Sequence, residues 1–133
     1  MNTERKLGLR AWQHLAIIAL AVSFWLNGVL LIRFMSSQSL WGGLGSAIIF
    51  VLSIPIAAVS ISGVRKLLRL SNDQLSPAII LIVALVAMLH GIGLTFMPAI
   101  YGETGTSLLF ASAWLIWFCG AVLLPLFTKE MRG

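Results

Sequence analysis

The sequence predicts an all-α protein, an integral membrane four-helix bundle built from two antiparallel transmembrane hairpins with both termini in the cytoplasm. Hydrophobic residues make up 59% of the chain and charged residues only 10%, whereas soluble domains carry about 25% charged residues. The hydrophobic residues are gathered into four long runs, and the positive residues flank those runs unequally. These observations predict, in turn, a membrane location, the number of helices and their orientation.

Four apolar segments are each about 20 residues long, the length that a helix needs to cross a hydrocarbon core about 30 Å thick. Their approximate bounds are 11–32, 44–64, 77–97 and 107–127. Arg33, Arg65 and Lys129 close the first, second and fourth segments. Pro77 is a favourable first-turn residue for the third. Backbone groups in lipid must be hydrogen-bonded internally, so each segment is a helix and residues 1–133 form a single transmembrane domain.

The first segment begins like a signal peptide, with Arg5, Lys6 and Arg10 ahead of an Ala19-Leu20-Ala21 triplet. The apolar run continues for about eleven residues past that triplet, which is too long for the core of a signal peptide. We therefore expect a retained first helix.

Positive residues lie mainly on one side of the four segments. Eight of them occupy the N-terminal stretch, the connection between the second and third segments, and the C-terminal stretch: Arg5, Lys6, Arg10, Arg65, Lys66, Arg69, Lys129 and Arg132. The connection after the first segment carries only Arg33, and the one after the third carries Glu103 and no positive residue. Because positive residues stay in the cytoplasm, both termini are predicted to be cytoplasmic.

Small residues recur at four-residue intervals along three of the segments. These stripes are Ala19-Ser23-Asn27, Ser53-Ala57 and Ala87-Gly91-Thr95. Helices in lipid associate through close packing at small residues, because lipid chains are as apolar as the helices themselves. The stripes are therefore expected faces for helix contacts.

Asn27 and His90 form the candidate intramembrane polar site. A rise of 1.5 Å per residue puts Asn27 about 24 Å and His90 about 20 Å into their segments, so both lie in the outer part of the bilayer. We expect both side chains to point into the bundle, in direct or water-mediated contact, with Ser23 or Ser53 nearby. The site is either functional, with histidine as a ligand-binding or proton-carrying group, or structural, with histidine fixing the helix packing.

Arg33 and Glu103 form a possible outer ion pair, because they follow the first segment and precede the fourth. Such an exposed pair contributes roughly 0–1 kcal/mol. The alternative is that Arg33 extends to a lipid phosphate while Glu103 is solvated.

Several function classes are excluded by what the chain lacks. Its net charge of +5 comes from residues beside the apolar segments, so the bilayer is the expected partner and nucleic acid is not. Cys119 is the single cysteine, which rules out an intramolecular disulfide. No cofactor or metal is expected. A haem or a metal ion would need a further ligand near His90, and the second histidine, His14, lies at the opposite interface. An enzyme is not expected, because the segments contain serines but no acidic residue to orient a base.

Five stretches of the chain resemble a family of short bacterial inner-membrane proteins of unknown function. They are Arg33-Phe34, Ile54-Pro55-Ile56, Met88-Leu89-His90-Gly91, Phe96-Met97-Pro98 and the run from Ala113 to Gly120. Members of that family more often place an acidic residue where His90 stands. The resemblance implies a four-helix fold and a bacterial inner membrane, and it implies no activity.

Two classes of function remain. The first is a non-enzymatic membrane subunit or accessory factor that packs against itself or against a larger membrane protein. The alternative is an oligomeric small-solute transporter or permeation unit in which Asn27 and His90 line a polar path. Four helices of this length enclose little space, so the alternative requires a homo-oligomer. The absence of a carboxylate within the segments favours the first class.

The charge distribution generates a topology prediction. Reporter fusions after Asn72 and at the C-terminus are expected to report a cytoplasmic location, because the basic stretches are retained inside. A fusion at Gly102 is expected to report an external location. A cytoplasmic signal from the fusion at Gly102 would contradict the arrangement.

Overall fold

The computed structural model describes residues 8–102 and 105–130. Its elements are α1 (Ala11–Ser37), α2 (Gly43–Leu68), α3 (Asn72–Phe96), α4 (Thr106–Glu130) and a 3₁₀ helix at Pro98–Tyr101. All four α-helices are long and apolar enough to cross a membrane. The described residues contain no strand. The predicted all-α membrane fold is therefore confirmed.

The two ends of the bundle differ in what they carry. The two-loop end is the end at which α1 and α3 finish, and it carries the connections that follow those helices. The termini end holds the start of α1, the connection from α2 to α3 and the end of α4. Because each connection is short, successive helices run in opposite directions, and α1 therefore runs in the same direction as α3.

All four helices extend beyond the segments predicted for them, and α1 and α3 extend furthest. α1 continues past Arg33 to Ser37, because the polar residues there keep their helical hydrogen bonds after the chain leaves the apolar segment. α3 begins at Asn72, ahead of Pro77, so the predicted start at Pro77 is wrong. Ser71 and Gln74 form a capping box in which the Gln74 side-chain oxygen accepts a hydrogen bond from the Ser71 backbone N–H at 3.2 Å. This cap satisfies donors that would otherwise be unpaired at the helix start.

The closest helix packing joins helices that run in the same direction. α1 packs mainly against α3, and α2 packs mainly against α4, with α3 and α4 in weaker contact. α1 and α2 barely touch, although they are consecutive. The helices are therefore ordered α1, α3, α4, α2 across the bundle, and each hairpin is opened so that its two helices contact other partners more closely.

Two buried clusters fill the bundle, one toward each end. The termini-end cluster is aliphatic and includes Ile17, Ala57, Leu68 and Ile79. The two-loop-end cluster is more aromatic and includes Ile32, Tyr101, Ala111 and Trp114. The aromatic cluster brings hydroxyl and indole groups into the interior.

Gln13 connects α1 to the last turn of α2 at the termini end. Its side chain is buried, and its amide nitrogen donates to the Leu68 carbonyl at 3.0 Å. Its side-chain oxygen accepts a bond from the Arg10 backbone N–H at 2.7 Å. Leu68 ends α2, where carbonyls lack helical donors. Gln13, near the start of α1, therefore supplies a hydrogen-bond donor to a carbonyl at the end of α2.

We expect Gln13→Met to lower the free energy of unfolding by about 1–3 kcal/mol, because the buried Leu68 carbonyl loses its donor while the side-chain volume is kept. Thermal unfolding in detergent measures the change. Gln38→Met is the matched control at the exposed end of α1, with an expected change within about 0.5 kcal/mol. Equal losses in the two variants would contradict the role of Gln13.

Candidate functional site

His90 is the centre of the candidate site, and its side chain is only 4% exposed. Its Nδ1 lies 3.0 Å from the hydroxyl oxygen of Tyr101, which belongs to the 3₁₀ helix after α3. The indole nitrogen of Trp25 on α1 lies 3.3 Å from the same hydroxyl oxygen. The three side chains form a hydrogen-bonded chain that joins α1, the 3₁₀ helix and α3.

The direction of each bond follows from the chemistry of its groups. An indole N–H can only donate, so Trp25 donates to the Tyr101 oxygen. Tyr101 is fully buried, and its hydroxyl proton therefore needs an acceptor within the protein. Among the described residues, His90 Nδ1 is the group placed to accept it. Burial raises the pKa of Tyr101, an effect that the bond from Trp25 only partly opposes, so the phenol keeps its proton. His90 thus carries its own proton on Nε2.

Two glycines make room for this chain. A Cβ on Gly28 of α1 would lie 2.7 Å from His90 Nε2, and a Cβ on Gly93 of α3 would lie 2.6 Å from the Tyr101 hydroxyl oxygen. Real Cβ atoms essentially never approach other atoms so closely. The imidazole therefore packs directly against the backbone of α1, and the phenol against the backbone of α3.

A groove of about 740 Å³ opens beside His90 and is lined by all four helices. This His90 groove is lined mostly by apolar side chains, and its lining includes Asn27, Gly28, His90, Gly91, Ser112 and Trp114. Within the described residues, every fully buried side-chain nitrogen or oxygen has a hydrogen-bond partner. His90 Nε2 makes no such bond to the described chain, so this nitrogen reaches the surface of the groove. The protein thus presents the His90 Nε2–H donor to a mostly apolar space.

The other predicted site residues are placed differently. Asn27 is exposed, lines the groove, and donates its amide to the Ser23 carbonyl at 2.8 Å. Ser23 is also exposed and donates to the Ala19 carbonyl at 2.9 Å. The expected direct contact between Asn27 and His90 is therefore not made, because Tyr101 takes the place of Asn27 as the partner of the imidazole.

Ser53 is fully buried, but it belongs to the contact between α2 and α4. Its hydroxyl accepts a bond from the Trp114 indole at 2.8 Å and donates to the Ile49 carbonyl at 2.7 Å. Trp117 of α4 also donates to α2, at the Phe50 carbonyl, at 2.9 Å. Ser53 therefore fixes helix packing beside the groove and does not contact His90.

Tyr101 and Trp25 are the site residues that the sequence did not reveal. Tyr101 lies in a connection, where an aromatic residue is expected to occupy the membrane interface. Trp25 lies in an apolar run, where its indole N–H gives no indication of a partner 76 positions away. The sequence feature that could have indicated Tyr101 is its position 11 residues after His90, across a single tight turn that can bring the two side chains together.

The predicted pair of Arg33 and Glu103 lies partly outside the described residues, because Glu103 is not among them. Arg33 is exposed at the two-loop end, and its Cγ would lie 3.1 Å from a Cβ on Gly102. Among the residues described, no three histidine, cysteine, aspartate or glutamate side chains are grouped in a way that could hold a metal ion.

Comparison with models of known families, with curated proteins and with solved structures finds no match to this chain. The chemistry of the site is therefore argued from its own residues.

We expect Gly28→Ala to destabilise the protein by about 1–3 kcal/mol, because the added methyl group displaces the His90 ring from the backbone of α1. Gly120→Ala is the matched control on α4, where an added Cβ meets no atom within 4 Å. The control is expected to be neutral or stabilising by up to about 1 kcal/mol, since alanine favours a helix over glycine. Thermal unfolding in detergent compares the two, and an unaffected Gly28→Ala variant would contradict the close packing.

Proposed function

We propose that the protein is a non-enzymatic membrane subunit or accessory factor that associates with other transmembrane helices through α1. It is a small polytopic membrane protein, and we place it in a bacterial inner membrane with both termini in the cytoplasm. The partner is a second copy of the chain or a larger membrane protein. The charge distribution and the resemblance described above support this placement.

The exposed stripe of Ala19, Ser23 and Asn27 on α1 carries the proposal. All three residues are exposed in the single chain, although small residues in membrane helices are enriched where another helix packs closely. The Asn27 amide nitrogen is bonded within its own helix. Its amide oxygen accepts no bond from the described residues, so it is free to accept one from a neighbouring helix. An amide facing hydrocarbon is costly, and association removes that cost.

The absence of carboxylates from the predicted segments supports a non-enzymatic role. Proton transfer and nucleophilic catalysis commonly require a base and a group that orients it. The one buried histidine is engaged by a tyrosine and faces an apolar space. This arrangement suits binding better than turnover.

An oligomeric permeation unit remains the second candidate, because Asn27 and His90 line the same groove. A permeation path would need polar groups along its length. The lining of the groove is mostly apolar and includes no charged side chain, which favours the accessory role over transport.

We expect Ser23→Leu to weaken association, because leucine keeps the partner helix away from the α1 backbone. Ser62→Leu is the matched control, since Ser62 is likewise exposed but lies on α2. The mass of the solubilised protein and of any protein that purifies with it measures association. A monomeric mass for the unsubstituted protein with no companion would refute the proposal. A closed ring with transport in vesicles would support the permeation unit instead.

A further inference from the structure

We infer that the His90 groove is a binding site for a neutral, lipid-soluble molecule whose carbonyl oxygen accepts a hydrogen bond from His90 Nε2–H. This inference does not depend on the α1 stripe proposed for helix association, although Asn27 belongs to that stripe and also lines the groove. It uses a buried N–H donor at the groove to which no described residue supplies an acceptor.

The His90 Nε2–H donor is fixed both in its orientation and in its tautomer. Tyr101 donates to Nδ1 and is itself held by Trp25, so the Nε2–H tautomer is favoured and the ring cannot rotate freely. Gly28 lets the ring lie against α1 with Nε2 at the groove surface. A donor whose tautomer is set by a bond to the other ring nitrogen is prepared for a ligand before the ligand arrives.

The acceptor must come from the bilayer. His90 precedes the end of α3 at Phe96 by about 9 Å, at 1.5 Å per residue. At this depth water is scarce, and a polar group without a partner carries a large cost. No described protein atom satisfies Nε2–H. A molecule dissolved among the lipid chains is therefore the natural source of the missing oxygen.

The walls of the groove define the class of ligand. A space of about 740 Å³ is within the usual range of small-molecule sites, about 300–1,000 Å³. Its lining includes Phe24, Leu94, Leu115 and Phe118, and no charged side chain. A charged group would be desolvated there without a counter-charge. The ligand is therefore a mainly hydrocarbon molecule whose polar group is neutral.

A carbonyl oxygen is the acceptor that suits this donor best, because it brings no proton that would need an acceptor in turn. A hydroxyl that accepted from His90 would bring a proton of its own, which would need a further acceptor. A carbonyl oxygen accepts and brings no proton. Two membrane constituents carry one at a suitable depth: a glycerolipid ester and a lipid-soluble quinone.

Nuclear magnetic resonance of the histidine ring tests the site directly. The His14→Gln variant leaves His90 as the only labelled histidine, and dodecyl maltoside provides a detergent without carbonyl groups. Dioleoylglycerol, its dialkyl ether counterpart and decylubiquinone are each titrated into the delipidated protein. We expect the Nε2 proton to shift downfield with a carbonyl-bearing molecule and not with the ether lipid.

The arms of this experiment separate the two sources. A shift with the ester lipid alone assigns the site to glycerolipid, and a shift with decylubiquinone alone assigns it to quinone. Shifts with both establish a general carbonyl site. No shift with either, or an equal shift with the ether lipid, would overturn the proposal.

Two variants separate binding from folding. Tyr101→Phe removes the group that positions the imidazole, so we expect a population with the proton on Nδ1 and binding about three- to tenfold weaker, as for the loss of one net hydrogen bond. Leu94→Trp fills the groove and is expected to abolish the ligand-induced shift while His90 keeps the Nε2–H tautomer in the free protein. Leu109→Trp, at an exposed position outside the groove, is expected to bind normally. Normal binding by Leu94→Trp would place the ligand elsewhere and refute the assignment.

Discussion

The hydrogen-bonded chain from Trp25 through Tyr101 to His90 connects three segments that would otherwise share only apolar contacts. Each hydrogen bond has one possible direction, because an indole N–H can only donate and the buried phenol must donate its hydrogen bond to an acceptor. Buried polar groups without partners are costly. The approach of α1 to α3, and the return of the 3₁₀ helix over the end of the bundle, both depend on these bonds. Gly28 and Gly93 supply the space that the rings require.

The groove follows from the way the helices are paired. α1 is drawn to α3 by the site, and α2 is bonded to α4 through Trp114 and Ser53. Each pair is closely packed, whereas the contact of α1 with α2 is almost absent. The space left between the pairs is the groove, and His90 lies at its wall. The interactions that stabilise the two helix pairs therefore also leave the groove whose wall includes His90.

The fold was predictable because the lengths of apolar runs report directly on bilayer thickness, but the site was predictable only in part. His90 was identified because histidine in an apolar run is costly. Its partner was not, because membrane helices give no sequence signal for rotation about their axes, and that rotation puts Asn27 at the surface. Tyr101 lies in a connection, where an aromatic residue is expected at the membrane interface and not as the partner of a buried histidine. The start of α3 was signalled by Ser71 and Gln74, a capping pattern that Pro77 obscured.

The position of Tyr101 beyond the end of α3 has a consequence for biogenesis. Membrane helices form first and pack afterwards, so α3 enters the bilayer before the residue that satisfies its histidine has folded back. During that interval His90 Nδ1 faces lipid or the insertion machinery without its final partner. The polar residue is paired only when the 3₁₀ helix closes over Trp25. Folding of the 3₁₀ helix is thus the step that completes the polar link between α1 and α3, and a chain truncated before residue 101 would leave these helices joined by packing alone.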